Sequence, residues 1–336
     1  MEDHTARGSG LAHIHYIVIL KTKKGGRSRA RKDILALLEM DLEHKAIERI
    51  KMASEMSLHH YGQPLVCTYS GGKDSDVMLE LFKRSGVPFE VHNSHTTVDA
   101  PQTVYHIRKK FKELEANGIL CDIEKPTYKG KRCSMWTLIP EKGMPPWRRM
   151  RYCCSILKET GCANRYIATG VRWDESSARE ERQAFEANTP KKEDAIRLSD
   201  EVMLMNDNSD KRRMMEHCQL KGKMIVNPII DWTHRDIWDF IQSEKILYNV
   251  LYDMGYKRVG CIGCPMAGKG RWREFYDFPT YQWAYIRAFD KMLITLKRKG
   301  VIPKWKTGYD VFLWWMEDKN VEGQMNLFAD GFVQQY

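Results

Sequence analysis

The stretch Ser70-Gly71-Gly72-Lys73-Asp74-Ser75 constrains this chain more than any other. Leu65-Val66-Cys67-Thr68-Tyr69 runs into it as a strand. Val77, Met78, Leu81 and Phe82 recur at helical spacing after it. A strand that ends in Ser-Gly-Gly and restarts as a helix leaves backbone N–H groups unpaired at the helix start. With two glycines, a lysine and two hydroxyls added, the turn predicts a phosphate cradle. The Gly-x-x-x-x-Gly-Lys spacing of a Walker A loop is absent.

The flanking chain repeats the strand–helix order. Val87–Thr96, Ile119–Glu124, Arg165–Thr169 and Met224–Ile230 read as strands, and Asp33–His60 and Pro101–Asn117 as helices, the latter stopped by Gly118. This alternation predicts an α/β fold: a doubly wound, mostly parallel sheet with helices on both faces, plus helical and basic extensions. Ligands of such sheets sit at the carboxyl ends of strands. Ser70, Asn93 to Asp99 and Gly170-Val171-Arg172 all fall at strand ends, so the three segments are expected to share one mouth. Thr233 is the expected N-cap of a helix carrying Ile237, Trp238, Phe240 and Ile241. The boundaries read as a basic arm and helix over 1–62, a nucleotide-binding domain over 63–266, and a helical aromatic region over 267–336. Residues 1–10 read as a tail, Leu11–Leu20 as a strand, 125–150 as an irregular insertion, and 173–222 as a charged region of loop and short helices.

The 336 residues include 43% apolar and 29% charged side chains, enough for a substantial core. No apolar run reaches the length of a membrane span, and Met1–Gly10 carries no signal-peptide core, so a cytoplasmic protein with no membrane partner is expected. The net charge of +10 favours acidic partners. Lys21–Lys32 holds seven Lys and Arg and no acid, which reads either as a solvated loop or as an arm that touches nucleic-acid phosphates.

Nine cysteines, an odd number, argue against a disulfide framework. Cys153 and Cys154 are adjacent, and Cys261 and Cys264 form a Cys-x-x-Cys among glycines. Thiolates in this pattern hold zinc or an iron–sulfur cluster, act as a redox pair, or lie inert in a core. Cys67 and Cys121 fall in strands and are expected in the core.

These motifs carry a family resemblance. Ser70–Ser75 is similar to the PP-loop of the adenine-nucleotide α-hydrolase superfamily. Arg151-Tyr152-Cys153-Cys154 through Lys158, Gly170-Val171-Arg172 with Glu175-Ser176 and Arg179, Pro228 to Trp238, and Gly255-Tyr256 to Cys264 follow the order of the phosphoadenosine-phosphosulfate (PAPS) reductase family, from about Pro64 to Pro265. The four-cysteine pattern resembles that of the iron–sulfur adenylyl-sulfate (APS) reductases, which implies a [4Fe–4S] cluster on Cys153, Cys154, Cys261 and Cys264, with zinc as the alternative. The reductases carry a catalytic cysteine in a C-terminal Glu-Cys-Gly-type tail, whereas here no cysteine follows Cys264. The resemblance therefore turns towards relatives such as the ATP-pyrophosphatase-like proteins of DNA phosphorothioation.

On that reading ATP binds with its phosphates on Ser70, Gly71, Gly72, Lys73, Asp74 and Ser75. Lys73 stabilises the pyrophosphate leaving group, Asp74 helps to hold Mg²⁺, and Arg172 and Arg179 offer forks to phosphate oxygens beside Gly170. The adenine lies against the strand end at Asn93 to Thr97. Lys73, Asp74 and Arg172 are the expected catalytic residues, and a partner delivers sulfur. The alternatives are an APS or PAPS reductase whose thiol comes from Cys133 or a partner protein, and a non-catalytic nucleotide- or nucleic-acid-binding accessory protein of a defence or CRISPR-type system.

Overall fold

The computed structural model describes residues 27–188 and 223–317. The expected tail, the strand at Leu11–Leu20, the first part of the basic arm, most of the charged region after 188 and the C-terminal end lie outside the described residues. The chain divides into two compact units. One comprises Met1–Tyr69, Lys73–Glu90 and Asn164–Leu247, and the other Ser70–Gly72, Val91–Ala163 and Tyr248–Tyr336. Among the described residues the first unit holds two parallel strand pairs and the second holds one, with helices following the strands, so the α/β expectation holds.

In the first unit, helix α1 (Arg27–Tyr61) begins six residues before the expected Asp33. Lys, Arg and Ala form helices well, so the basic run at Arg27–Lys32 continues the helix rather than forming a loop. Ala46, Ile50, Ala53, Ser54 and Ser57 make its buried stripe, at helical spacing. Arg49 fixes the helix laterally by donating to Asp231 Oδ1 at 2.7 Å and to the Pro228 carbonyl at 2.8 Å. The strand β1 (Leu65–Thr68) enters helix α2 (Lys73–Ser85), whose Val77, Met78, Leu81 and Phe82 are buried as the spacing predicts. Acidic Asp74 and Asp76 in the first turn, and Lys83 and Arg84 in the last, suit the helix dipole.

β1 pairs in parallel with the strand at Tyr166–Ala168, which pairs in parallel with that at Lys223–Val226. All three are near-continuous apolar runs, as strands covered on both faces require. The strand at Phe185–Asn188 adds an antiparallel edge, with Phe185 opposite Val226 and Asn188 opposite Lys223. It lies in a region expected to hold only loop and short helices, because four residues are too few to show a period. The expected strand Met224–Ile230 stops at Val226, where Asn227 begins a turn and donates to the Gln183 carbonyl at 2.7 Å. Thr233 caps the helix His234–Ser243 as expected, its Oγ1 accepting from the Asp236 amide at 3.2 Å.

In the second unit, β2 (Phe89–Ser94) pairs in parallel with β3 (Cys121–Glu124), in register from Val91–Cys121 to Ser94–Glu124. Helix α3 (Pro101–Ala116) follows β2. It has proline in its first turn, buries Thr103, Ile107, Phe111 and Leu114, and ends before Gly118 at φ 78°. The segment expected to be irregular contains a hairpin, β4 (Thr127–Tyr128) with β5 (Lys131–Arg132), and helix α4 (Met135–Lys142). Lys129 and Gly130 at the hairpin turn both have positive φ, the geometry that matches strand twist. Helix α5 (Tyr152–Leu157) carries the paired cysteines.

Counting on from the first unit's strands and helices, β6 is Tyr166–Ala168, α6 Ser177–Glu180, β7 Phe185–Asn188, β8 Lys223–Val226 and α7 His234–Ser243. The chain then forms α8 (Gly270–Asp277), α9 (Pro279–Arg298) and α10 (Gly308–Glu317). Phe275, Tyr285, Phe289, Phe312 and Trp315 are core and pack with Leu138 and Ile139 of α4, whereas Trp272, Tyr276, Trp283 and Tyr309 are exposed. Cys67 is buried as expected, but Cys121 is half-exposed, because β3 pairs on one side only. Among the described residues no helix is long and apolar enough to cross a membrane.

Candidate functional site

The first unit holds the charged half of the Ser70–Ser75 stretch. Lys73 and Ser75 are buried in the first turn of α2. Lys73 Nζ donates to both Asp74 carboxylate oxygens at 2.9 Å. Burial pulls the Lys73 pKa down, and the neighbouring Asp74 carboxylate opposes that shift. Arg172, 2% exposed, donates through Nε to Asp74 Oδ1 at 2.7 Å and through Nη1 to the Trp232 carbonyl at 3.2 Å. One carboxylate therefore holds two buried cations at a helix N-terminus, where backbone N–H groups add further positive potential. The strand exit is tied to the helix entry by Tyr69, whose hydroxyl donates to Asp76 Oδ1. Gly170 lies against Asp74: a Cβ there would meet the Asp74 carbonyl carbon at 3.4 Å. Arg179 is paired with Glu175, whose carboxylate also accepts from the Arg172 amide at 3.2 Å.

The second unit holds Ser70, Gly71 and Gly72. Gly71 has φ 72°, and a Cβ on it would come within 2.9 Å of Ile107 Cγ1, so glycine is required on two counts. At the end of β2, Asn93 is buried. Thr97 has φ 67°, an uncommon conformation for a β-branched residue, and its Oγ1 accepts from the Met135 amide at 3.0 Å.

The same unit brings all four candidate thiols into one electrostatic neighbourhood. The Cys153 thiol bonds to Cys154, which raises its own pKa and lowers that of Cys154; Lys158 and Arg151 lower Cys154 further. Burial pushes the Cys261 thiol up, and Lys158 partly offsets it. The Lys158 pKa is raised in turn, chiefly by Cys261. The Cys-x-x-Cys loop is fastened to the segment after β2: Ile262 N donates to the Val98 carbonyl at 2.8 Å, and Cys261 Sγ lies 3.5 Å from Thr96 Oγ1. From beneath, Gly263 (φ 74°) presses on Phe275, Tyr285 and Trp315, leaving no room for a Cβ, which would lie 2.7 Å from Phe275 Cζ. Glu274 Oε2 accepts from the Gly263 amide at 2.7 Å, and the Tyr285 hydroxyl donates to the Ile262 carbonyl at 3.0 Å. Among the described residues no three His, Cys, Asp or Glu side chains close on a single metal position. The donor set, four thiols with an ammonium beside them and an aromatic floor, suits a group that binds thiolates and excludes water. Lys158 was legible in the sequence only as the end of the Arg151–Lys158 motif; its place among thiols comes from the helix turn that links it to Cys154.

Known proteins resemble this chain over the same span. The sequence profile of the phosphoadenosine phosphosulfate reductase domain matches residues 64–267. An uncharacterised protein of Methanocaldococcus jannaschii is 26% identical over 266 residues, covering 77% of this chain and 54% of that protein. A second protein of that organism is 25% identical over 219 residues, so this chain spans about half of the one relative and 39% of the other. The adenosine 5'-phosphosulfate reductase of Geobacillus kaustophilus is 24% identical over 208 residues, covering 61% of this chain and 74% of the reductase. A crystal structure of the phosphoadenylyl-sulfate reductase of Candida auris, a phosphate complex, aligns with TM-score 0.38 and 21% identity over 62% of this chain and 87% of that one. With the profile matched over more than half its length, and with the loop and the four cysteines inside the match, the chain belongs to the phosphoadenosine phosphosulfate reductase domain family.

Proposed function

We propose that this protein binds ATP on Ser70–Ser75 and cleaves it between the α and β phosphates, in the service of sulfur transfer. The observation that carries the proposal is the pair of buried cations, Lys73 and Arg172, held on one carboxylate at the start of α2. Polyphosphate oxygens would take over the bonds that Asp74 now supplies, and the freed carboxylate, a hard oxygen donor, would help to hold Mg²⁺. An acceptor oxygen attacks the α-phosphorus, the bond to the bridging oxygen breaks, and pyrophosphate leaves with its charge met by Lys73 and the helix amides. A sulfur nucleophile from a donor then displaces AMP from the adenylated acceptor. Asn93 and Thr97 are the proposed adenine contacts, with Gly170 lining the phosphate side.

Cys153, Cys154, Cys261 and Cys264 are the proposed ligands of a [4Fe–4S] cluster. When bound, such a cluster supplies a site that carries electrons or hands over sulfur. Lys158 offsets part of the thiolate charge. Free thiols in this number fit a reducing compartment, the cytoplasm.

The reductase reading needs a thiolate that attacks sulfur. Burial and the nearby Glu141 push the Cys133 thiol up, away from the ionised form. This favours ATP cleavage over reduction by Cys133. The test is pyrophosphate release by anaerobically purified protein with ATP, Mg²⁺ and a set of hydroxyl and amide acceptors. We expect release that Lys73→Ala lowers by at least about a hundredfold while the variant keeps its fold. Sulfite formed from APS or PAPS, with no pyrophosphate from ATP, would replace this reading with the reductase one.

A further inference from the structure

The Gly71 carbonyl faces the interior of the second unit, where one side chain meets it. Asn249 is fully buried, and its Nδ2 donates to the Gly71 carbonyl at 3.1 Å and to Thr103 Oγ1 at 3.1 Å. Its Oδ1 accepts from the Leu251 amide at 3.1 Å, which locks the side chain in a local turn. Every hydrogen-bonding atom of this amide is thus engaged, and the partners are the loop, the first turn of α3 and its own turn. The Thr103 methyl and Ile107 close on Gly71 from α3, where a Cβ would meet them at 3.2 and 2.9 Å. From the Asn249 turn, Tyr252 brings its hydroxyl to 3.5 Å from the place a Gly72 Cβ would take.

From this geometry we infer that Asn249 is a positioning residue for the phosphate loop, an inference that rests on the nucleotide-binding reading above. A carbonyl that is pinned inward forces its peptide plane to turn. With Gly71 at φ 72°, that plane sets where the following amides point. A phosphate cradle depends on those amides all facing the ligand at once. Asn249 is suited to the task because an amide donates two hydrogens from one nitrogen and accepts at its oxygen. Aspartate keeps the bond to Leu251 but has no hydrogen for Gly71 or Thr103.

The test is Asn249→Asp in the full chain, purified anaerobically, with two readouts. The first is hydrogen exchange in peptides covering Ser70–Asp74 without nucleotide. We expect at least a tenfold rise there, with exchange over β2 and α9 unchanged. The second is ATP affinity by calorimetry, expected to weaken about tenfold, with kcat for pyrophosphate release changed less than KM. A purely structural role would instead lower the midpoint of unfolding and leave both the loop exchange and the ATP affinity of the folded fraction as they are. Thr103→Val, which removes one of the two acceptors, is expected to give a smaller shift in the same direction. If Asn249→Asp does not fold, Asn249→Ser carries the same readouts, since serine fits the space and does not reach Gly71. Unchanged exchange over Ser70–Asp74 in a folded variant overturns the inference. If the unmodified protein binds no ATP, the nucleotide reading fails on its own, and the exchange readout still decides whether Asn249 holds the loop.

Discussion

Charge is matched around Asp74 and unmatched around Cys261. Two carboxylates there face a buried ammonium and a buried guanidinium: Asp74 bonds to both Lys73 and Arg172, and Asp174 Oδ2 lies 3.4 Å from Arg172 Nη1. At the thiols the balance runs the other way. Ionising all four would set several negative charges against Lys158, and burial already pushes the Cys261 thiol up. The phosphate loop therefore carries a stand-in anion and is expected to keep its shape in the empty protein. With all four thiols ionised, the iron of the proposed cluster would supply the positive charge that Lys158 alone does not.

The strongest test of that contrast is the thiol side. Cys261→Ser is expected to lower bound iron and acid-labile sulfide at least about tenfold, since losing one anchoring atom exceeds the effect of losing a supporting contact. ATP binding to the phosphate loop should survive in the same protein. If iron content is unchanged, Cys261 is no ligand and the contrast fails.

Asp74→Asn probes the other side. It removes the carboxylate that Lys73 and Arg172 share and leaves Arg172 only Asp174, 3.4 Å from its Nη1, so the ligand-free protein should lose about 2 kcal/mol in urea unfolding. Pyrophosphate should recover most of the loss by occupying the vacated anion position. A variant as stable as its parent, with or without pyrophosphate, would show that Asp74 is not the stand-in.

The smallest effect is expected at Glu274, which supports the Cys-x-x-Cys loop through the Gly263 amide. Burial raises its pKa above the ordinary carboxylate value, and the Gly263 bond only partly reverses this. A carboxyl with a raised folded-state pKa contributes stability in full below its unfolded pKa and loses it as pH rises through the folded value. Glu274→Gln keeps an acceptor for Gly263 and removes the titration. It should therefore leave stability at neutral pH the same or higher by less than about 1 kcal/mol, and flatten the fall as pH rises above the ordinary carboxylate value. A loss at neutral pH would mean that the charge itself supports the loop.

The sequence showed these two regions unequally. Ser70–Ser75 was legible because its chemistry is local: strand, glycines, lysine and helix stripe follow one another within twenty residues. Thr233 and Gly118 were legible for the same reason, since caps and stops act on neighbours. What escaped depends on distant chain or on very short elements. Asn249 meets Gly71 across 178 positions of sequence, and no period or spacing marks such a partner. The hairpin at Lys129-Gly130 and the strand Phe185–Asn188 are too short to show alternation.

The antiparallel edge strand β7 has a practical meaning for anyone reshaping this protein. Asn188 lies opposite Lys223, so the two ends of the stretch 189–222 are held one strand spacing apart, about 4.8 Å. A cut and splice at that point joins partners already in hairpin register. A two-residue Asn-Gly link would satisfy their geometry. The edge of the sheet thus offers a junction, Asn188 to Lys223, at which a splice or a graft keeps the strand ladder of the first unit in register.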